Sequence, residues 1–347
     1  MGYNSVIRLP AFSGVGRVCS MRFIVLVCCL AVSSFAASPE AWERIEVEPG
    51  GRIDAIADFG EGVVVLGTRL PNPSNVYRSA DLGRTWDLVA NVGEDDYITC
   101  VASGAGDVGY ILTGAKVHLW KTEDDGLTWH DMGRINDSDS GTNFAEAYGM
   151  VVTDAGTILV ADTDAEGGRV SRSTDGGITW TVSAPISPLA IYRLQHVGDG
   201  IIINGWAGNI YKSTDDGRTW HDCGRLMDSF LYAIDYLGED VALIGTESGH
   251  IFRSEDNGDT WANQGHVGDS ADDFVSLGQG RAIFTTYRDS KRMHYTADGG
   301  RTWSEWGDVA TGADGDWFDH VILAEHAGKT VIVGGTNKGF VLRQAVD

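Results

Sequence analysis

The chain carries one eight-residue signature six times, Ser/Thr-x-Asp-x-Gly-x-Thr-Trp. The copies are Ser79–Trp86, Thr122–Trp129, Ser173–Trp180, Ser213–Trp220, Ser254–Trp261 and Thr296–Trp303. Their closing tryptophans lie 43, 51, 40, 41 and 42 residues apart. A fixed period near forty residues is the mark of a radially repeated β-architecture. Each such unit needs its neighbours to bury its faces, so an uninterrupted array argues for one closed domain, expected here over 37–347.

Residues 231 to 264 show the unit clearly. Apolar runs at Leu231–Tyr236, Val241–Gly245 and Ile251–Phe252, with the stretch after Trp261, read as four short strands separated by Gly/Asp turns. The signature spans the third turn. Its Asp carboxylate can accept hydrogen bonds from backbone N–H groups of its own loop, with the Ser/Thr hydroxyl assisting. The Gly at the fifth position supplies the positive φ of a tight turn, and the Trp begins the outer strand with its ring buried. Asp81, Asp124, Asp175, Asp215, Asp256 and Asp298, with Trp86, Trp129, Trp180, Trp220, Trp261 and Trp303, are therefore expected to be structural staples.

Six units end near Trp306. Beyond them lie three strand-like runs around Val321–Ala324, Thr330–Gly334 and Gly339–Arg343, with no signature and no fourth strand. Ahead of the first unit sits an unpaired segment, Ala41–Val47. Together they make a seventh blade, which removes the exposed edges that an open array would leave. The expectation is an all-β, seven-bladed propeller whose N-terminal strand closes the last blade; a six-bladed ring with loose ends is the alternative.

These motifs resemble the Asp-box, or bacterial neuraminidase repeat, and the resemblance covers residues 42 to 344. The superfamily includes sialidases, other glycosidases, the photosystem II stability/assembly factor and the sortilin receptor propellers. Resemblance thus implies a propeller and leaves enzyme, receptor and assembly factor open. Sialidases clamp a carboxylate with three arginines and carry an Arg-Ile-Pro motif on an early inner strand. The lookalikes here are Arg8-Leu-Pro, near the start of the chain, and Arg69-Leu-Pro, ten residues before Ser79. Among Arg52, Arg69, Arg169, Arg193, Arg288 and Arg292, no three match the sialidase sequence context.

The N-terminus reads as an export signal over 1–36. Met21-Arg22 precedes the apolar run Phe23–Val32, and Ser34 and Ala36 supply small residues for cleavage. A start at Met21 and a retained anchor are the alternatives to be separated, and no later stretch is apolar enough to insert stably in a bilayer. Without residues 1–36 the chain holds 23 Lys+Arg against 49 Asp+Glu, a formal charge of −26. Such a field repels nucleic acid, and the expected partner is a protein or glycan. Cys100 and Cys223 fall in non-adjacent units, are expected to be buried thiols and form no expected disulfide. No metal or cofactor is called for.

The signature turns should share one face, with ligands on the other, where loops vary without disturbing the scaffold. Candidates on that face are Asp95, Asp96, Tyr97, Tyr192, Arg193, Trp206, Asp272, Asp273, Tyr287, Arg288, Asp316 and Trp317. Aromatics beside carboxylates suit sugar faces or cations. The reading that follows is an exported, monomeric, non-catalytic propeller that binds a protein or glycan, in the manner of an assembly factor. The alternative is a glycoside hydrolase or polysaccharide lyase acting on the same face, which needs only two suitably spaced carboxylates or a Tyr/His pair.

Overall fold

The computed structural model describes residues 42–346, apart from 71–72, 94–95, 136–146, 165, 287–291 and 309–316. The expected signal segment therefore lies outside the described residues. Seven four-stranded antiparallel sheets make seven blades. In chain order they span residues 52–91, 98–134, 149–182, 191–225, 231–266 and 271–308, and the last pairs 318–346 with 43–46. The first strands of successive blades pack on one another, and that of blade 7 returns to that of blade 1, closing the ring. The six-bladed alternative falls, because the three C-terminal strands take Glu43–Glu46 as their fourth, with Glu43 opposite Arg343 and Glu46 opposite Phe340. Trp42 packs on Phe318 at 5.6 Å.

The second strands are almost wholly buried. Gly200–Gly205 is buried at every position, and Ile202, Ile203, Leu159 and Val65 are all 0 % exposed. Both faces of these strands are covered by neighbouring blades, so they read as continuous apolar runs instead of alternating ones. One core cluster joins Leu159, Ala161 and Val170 of blade 3 to Ile191, Leu194 and Ile203 of blade 4.

The signature turn has one geometry in all six copies. The Ser/Thr hydroxyl at position one donates to Asp Oδ1 and accepts from the Gly N–H at position five. Asp Oδ1 also accepts from the N–H of the Thr at position seven, whose hydroxyl donates to Oδ2 at 2.5–2.7 Å. The fifth-position Gly has positive φ throughout, from 76° at Gly217 to 91° at Gly177. Position four is also left-handed, at Leu82, Asp125, Gly176, Asp216, Asn257 and Gly299, which the sequence reading did not foresee. Each outer strand starts one residue after its Trp rather than on it. Four of the indoles, those of Trp86, Trp129, Trp180 and Trp261, donate to the carbonyl of their own turn glycine.

These turns also join blades. A Cβ added to Gly258 in blade 5 would fall 2.1 Å from Ile202 of blade 4, and one on Gly177 in blade 3 would fall 2.3 Å from Leu119 of blade 2. The residue just before the signature completes the joint. Arg78 donates to Asp125 in the turn of the next blade, Arg172 to Asp216, Lys212 to Asp259 and Arg253 to the Gly299 carbonyl. Arg343 of blade 7 reaches the Leu82 carbonyl in the turn of blade 1. Blade 6 carries Tyr295 at this position, and the blade that follows it has no signature turn to hold. Cys100 and Cys223 are free, as expected, but half-buried rather than buried.

Candidate functional site

The first strands supply the site through a repeated irregularity. In six blades the pairing of the first strand with the second shifts near the strand's start, a β-bulge that leaves one residue out of register. The residues so placed are Asp54, Thr99, Tyr192, Tyr232, Asp272 and Asp319. Each follows a buried apolar residue (Ile53, Ile98, Ile191, Leu231, Ala271 and Phe318), which anchors the strand while the bulge re-aims its neighbour. In blade 3, Tyr148 follows the buried Ala147 just ahead of the first strand and takes the equivalent place.

All seven residues line one cavity of about 470 Å³. From blade 1 to blade 7 the ring reads Asp, Thr, Tyr, Tyr, Tyr, Asp, Asp. The cavity lies at the starts of the first strands, whereas the signature turns follow the ends of the third. In an antiparallel blade these are opposite ends. The ligand face expected from the sequence is thus the one that holds a cavity.

Blades 6, 7 and 1 form its ionic half. Arg52 donates from Nη2 to Asp319 Oδ1 at 2.9 Å and from Nε to Oδ2 at 3.1 Å, and its Nε stands 2.6 Å from Asp54 Oδ1. Arg69 donates to Asp54 Oδ2 at 3.3 Å with its guanidinium 4.1 Å above the Tyr97 ring. Arg193 stands 3.6 Å from Asp273 Oδ1. Asp273 Oδ2 takes the Val321 N–H at 3.0 Å and lies 3.1 Å from His320 Nδ1. Three arginines therefore meet here, and each is engaged by an aspartate rather than open as a carboxylate clamp.

The aspartates of this half are driven apart. Burial pushes the Asp272 carboxyl up to about 8; Arg193 opposes the rise, and the charges of Asp273 and Asp319 add to it. Burial likewise lifts Asp319 to about 6 against the pull of Arg52. Asp273 is also buried, yet His320 and Arg193 more than offset that cost and hold it below the ordinary carboxylate value. Deeper in blade 5, burial and the charge of Asp273 raise Asp235 to about 7, although it accepts the Tyr236 and Ser276 N–H groups.

Blades 3, 4 and 5 form the aromatic half. Tyr148, Tyr192, Trp206, Phe230 and Tyr232 follow one another with ring centroids 5.6, 5.8, 4.5 and 6.0 Å apart. Trp206 is 44 % exposed at the mouth. A strained turn holds it there: Ala207 has φ 65° and Gly208 φ 83°, and a Cβ on Gly208 would fall 1.9 Å from the Met227 carbonyl oxygen. The Trp206 N–H donates to Ala190 and Arg225 Nε to the Ala207 carbonyl, fixing both ends of the turn.

Of the residues expected from the sequence, Tyr192, Arg193, Trp206 and Asp272 line the cavity, and Asp273 lies just behind it. Tyr97 supports Arg69 from outside the lining. Trp317 donates its indole N–H to Asp319 at 3.1 Å and so acts through that carboxylate. Asp96 is turned into its own blade, where Oδ1 accepts N–H groups of Tyr97, Ala115 and Lys116. Asp95, Tyr287, Arg288 and Asp316 lie outside the described residues. The sequence reading missed Asp54, Tyr148, Tyr232 and Asp319 as site residues. Their shared signal was position: each directly follows the first buried residue of its blade.

No family model matches this chain, and no curated protein matches it. Solved structures do, at the level of fold. YCF48 bound to D1 peptide aligns over 88 % of this chain and 97 % of its own length, with 15 % identity and a TM-score of 0.69. Virginiamycin B lyase from Staphylococcus aureus aligns over 88 % and 99 %, with 11 % identity and a TM-score of 0.73. The GH74 enzyme of Niastella koreensis aligns over 87 % of this chain and 53 % of its own, with 17 % identity and a TM-score of 0.65. A protein bound to a peptide, a lyase and a GH74 enzyme thus share the architecture. At these identities the likeness carries the fold alone.

Proposed function

We propose that this chain is an exported Asp-box propeller that binds a protein or glycan in the cavity opposite its signature turns, without catalysing a reaction. The observation that carries this reading is the contrast between the two halves of the cavity. The aromatic arc lines the cavity with five successive rings, Trp206 being 44 % exposed, whereas the arginines are already engaged by Asp54, Asp319 and Asp273. Groups locked in internal ion pairs build a shaped, preorganised wall. Export rests on the Met21–Ala37 segment, and N-terminal sequencing of the secreted product checks it: a mature start at Ala37 supports it.

A second, catalytic reading has one specific support. Asp272 and Asp273 are adjacent carboxyls with oppositely shifted proton affinities, and His320 pairs with the lower one. Carboxyls separated in this way can divide acid and base roles. A screen of chromogenic glycosides and polysaccharides, read by released phenolate and reducing ends, separates the two readings. Turnover abolished by Asp272→Asn with binding retained would establish an enzyme. Binding without turnover at any pH between 5 and 9 supports the binding role.

A further inference from the structure

The cavity has a composition that narrows the ligand further. Its aromatic arc is continuous across three blades, and the spacing of its rings is comparable to the length of one pyranose residue. The C–H faces of a pyranose are apolar and pack on aromatic rings, while its hydroxyls at the ring edge need both donors and acceptors. The opposite wall offers both together, because an Arg–Asp pair sets N–H donors beside carboxylate acceptors in one plane. Arg52–Asp319 is such a fork, Arg69–Asp54 adds a single contact of the same kind, both pairs line the cavity, and Thr99 adds a hydroxyl between the halves.

Charge decides between sugars and other ligands. The whole protein is strongly acidic, with a formal net charge of −23, yet the cavity is balanced. Arg52, Arg69 and Arg193 stand against Asp54, Asp319 and Asp273, His320 is turned to Asp273, and Asp272, its carboxyl raised by burial to about 8, adds little charge at neutral pH. A uronide, a sialic acid or a peptide C-terminus would need an uncompensated cation here, and an amine would need an uncompensated anion. Displacing an arginine from its aspartate to greet such a ligand would leave a desolvated charge behind. A neutral polyol makes no such demand. The volume of about 470 Å³ lies within the range of roughly 300–1,000 Å³ that small ligands occupy.

We propose that the cavity binds a neutral oligosaccharide, with successive pyranose rings stacked along Tyr148, Tyr192, Trp206, Phe230 and Tyr232 and their hydroxyls turned to the Arg52–Asp319 and Arg69–Asp54 pairs. This rests on the cavity being the binding site, and goes beyond it in naming one ligand class. Titration calorimetry of the full mature chain with cellohexaose, xylohexaose, mannohexaose and N-acetylchitohexaose tests it. Hexagalacturonate and a glucosamine hexamer serve as anionic and cationic counterparts. At least one neutral hexamer is expected to bind, at least tenfold more tightly than either charged one. Trp206→Ala should weaken it at least tenfold with an unchanged melting temperature, Tyr232→Ala should weaken it, and Trp206→Phe, which keeps a ring, should largely retain it.

Absence of binding by all four neutral hexamers overturns the proposal, as does preference for a charged one. Sugar binding that survives both Trp206→Ala and Tyr232→Ala overturns it too, because the sugar then sits elsewhere. A displayed-peptide library run on the same variants separates its failure from failure of the site. Peptides lost on Trp206→Ala, with no sugar bound, overturn the sugar and keep the cavity. Peptides unaffected by that change, with no sugar bound, overturn both.

Discussion

The two ends of the propeller use aspartate in opposite ways. At the signature-turn end, each Asp is an exposed or half-buried staple bonded by the hydroxyl and N–H groups of its own loop. Asp175 and Asp215 are held down to about 2, chiefly because the Thr side chain and backbone bind the ionised form, and for Asp215 this outweighs its slight burial. At the cavity end, Asp272 and Asp319 are raised to about 8 and 6, because burial and neighbouring carboxylates disfavour ionisation. The side chain is the same and the sign of the shift differs. Repetition marks the end that holds the blades together; departure from repetition marks the end that holds the cavity.

That contrast can be broken in four places. The largest effect is expected from Gly258→Ala, which puts a methyl 2.1 Å from Ile202 at a φ of 86°. It should cost about 2–4 kcal/mol in urea unfolding, combining left-handed strain with overpacking between blades. An unchanged midpoint would mean that the turn does not lock onto the preceding blade. Next comes Asp215→Ala, which removes the acceptor for Thr219 and Ser213. The melting temperature should fall by roughly 2–4 °C, with ligand affinity in the cavity unchanged. Loss of affinity without loss of stability would move function to the turn end.

Third, the two ends should give stability opposite slopes with pH. The turn carboxyls have folded values below the ordinary 3.8, so their contribution is present above that value and is lost as pH falls towards 2. Asp272 and Asp319 of the cavity, and Asp235 deeper in blade 5, have raised values, so the folded state holds their protons more tightly than the unfolded chain. Their contribution is present below 3.8 and declines as pH rises through about 6 for Asp319, 7 for Asp235 and 8 for Asp272. Asp272→Asn should flatten the decline nearest pH 8 and leave the acid limb alone, whereas Asp215→Asn should soften the acid limb only. Urea midpoints measured from pH 2 to 9 that show one common profile would erase the distinction. The smallest effect is expected at the sixth position of the signature, where Ile178 is 73 % exposed. Ile178→Arg should change stability by less than about 0.5 kcal/mol, and a larger loss would place that position in a contact.

The clamp between blades shows what a repeat conceals. Arg78, Lys121, Arg172, Lys212 and Arg253 stand directly before five of the six signatures and were visible in the sequence throughout. Their purpose was not, because Arg78, Arg172, Lys212 and Arg253 each act on a turn about 45 residues further on, while Lys121 pairs with Glu123 of its own loop. The cavity hid itself differently. Asp54, Tyr192, Tyr232 and Asp319 occupy equivalent places in their blades, but they differ in chemistry, so no repeat search aligns them. A bulge that shifts register is also invisible to the strict alternation by which strands are read.

The sequence by itself determined the all-β class and the six-fold repeat, and pointed to seven blades, to the closing strand around Trp42 and to the turn position of the six aspartates. Those follow from local rules, since turn chemistry and strand length act within a few residues. Only the tertiary structure decided which residues share the cavity, because one comes from each blade and ring closure alone brings them together. It also decided their charge states. Asp272 and Asp273 are neighbours in sequence, and the environment that raises one and lowers the other is built by Arg193 from blade 4 and by Asp319 and His320 from blade 7.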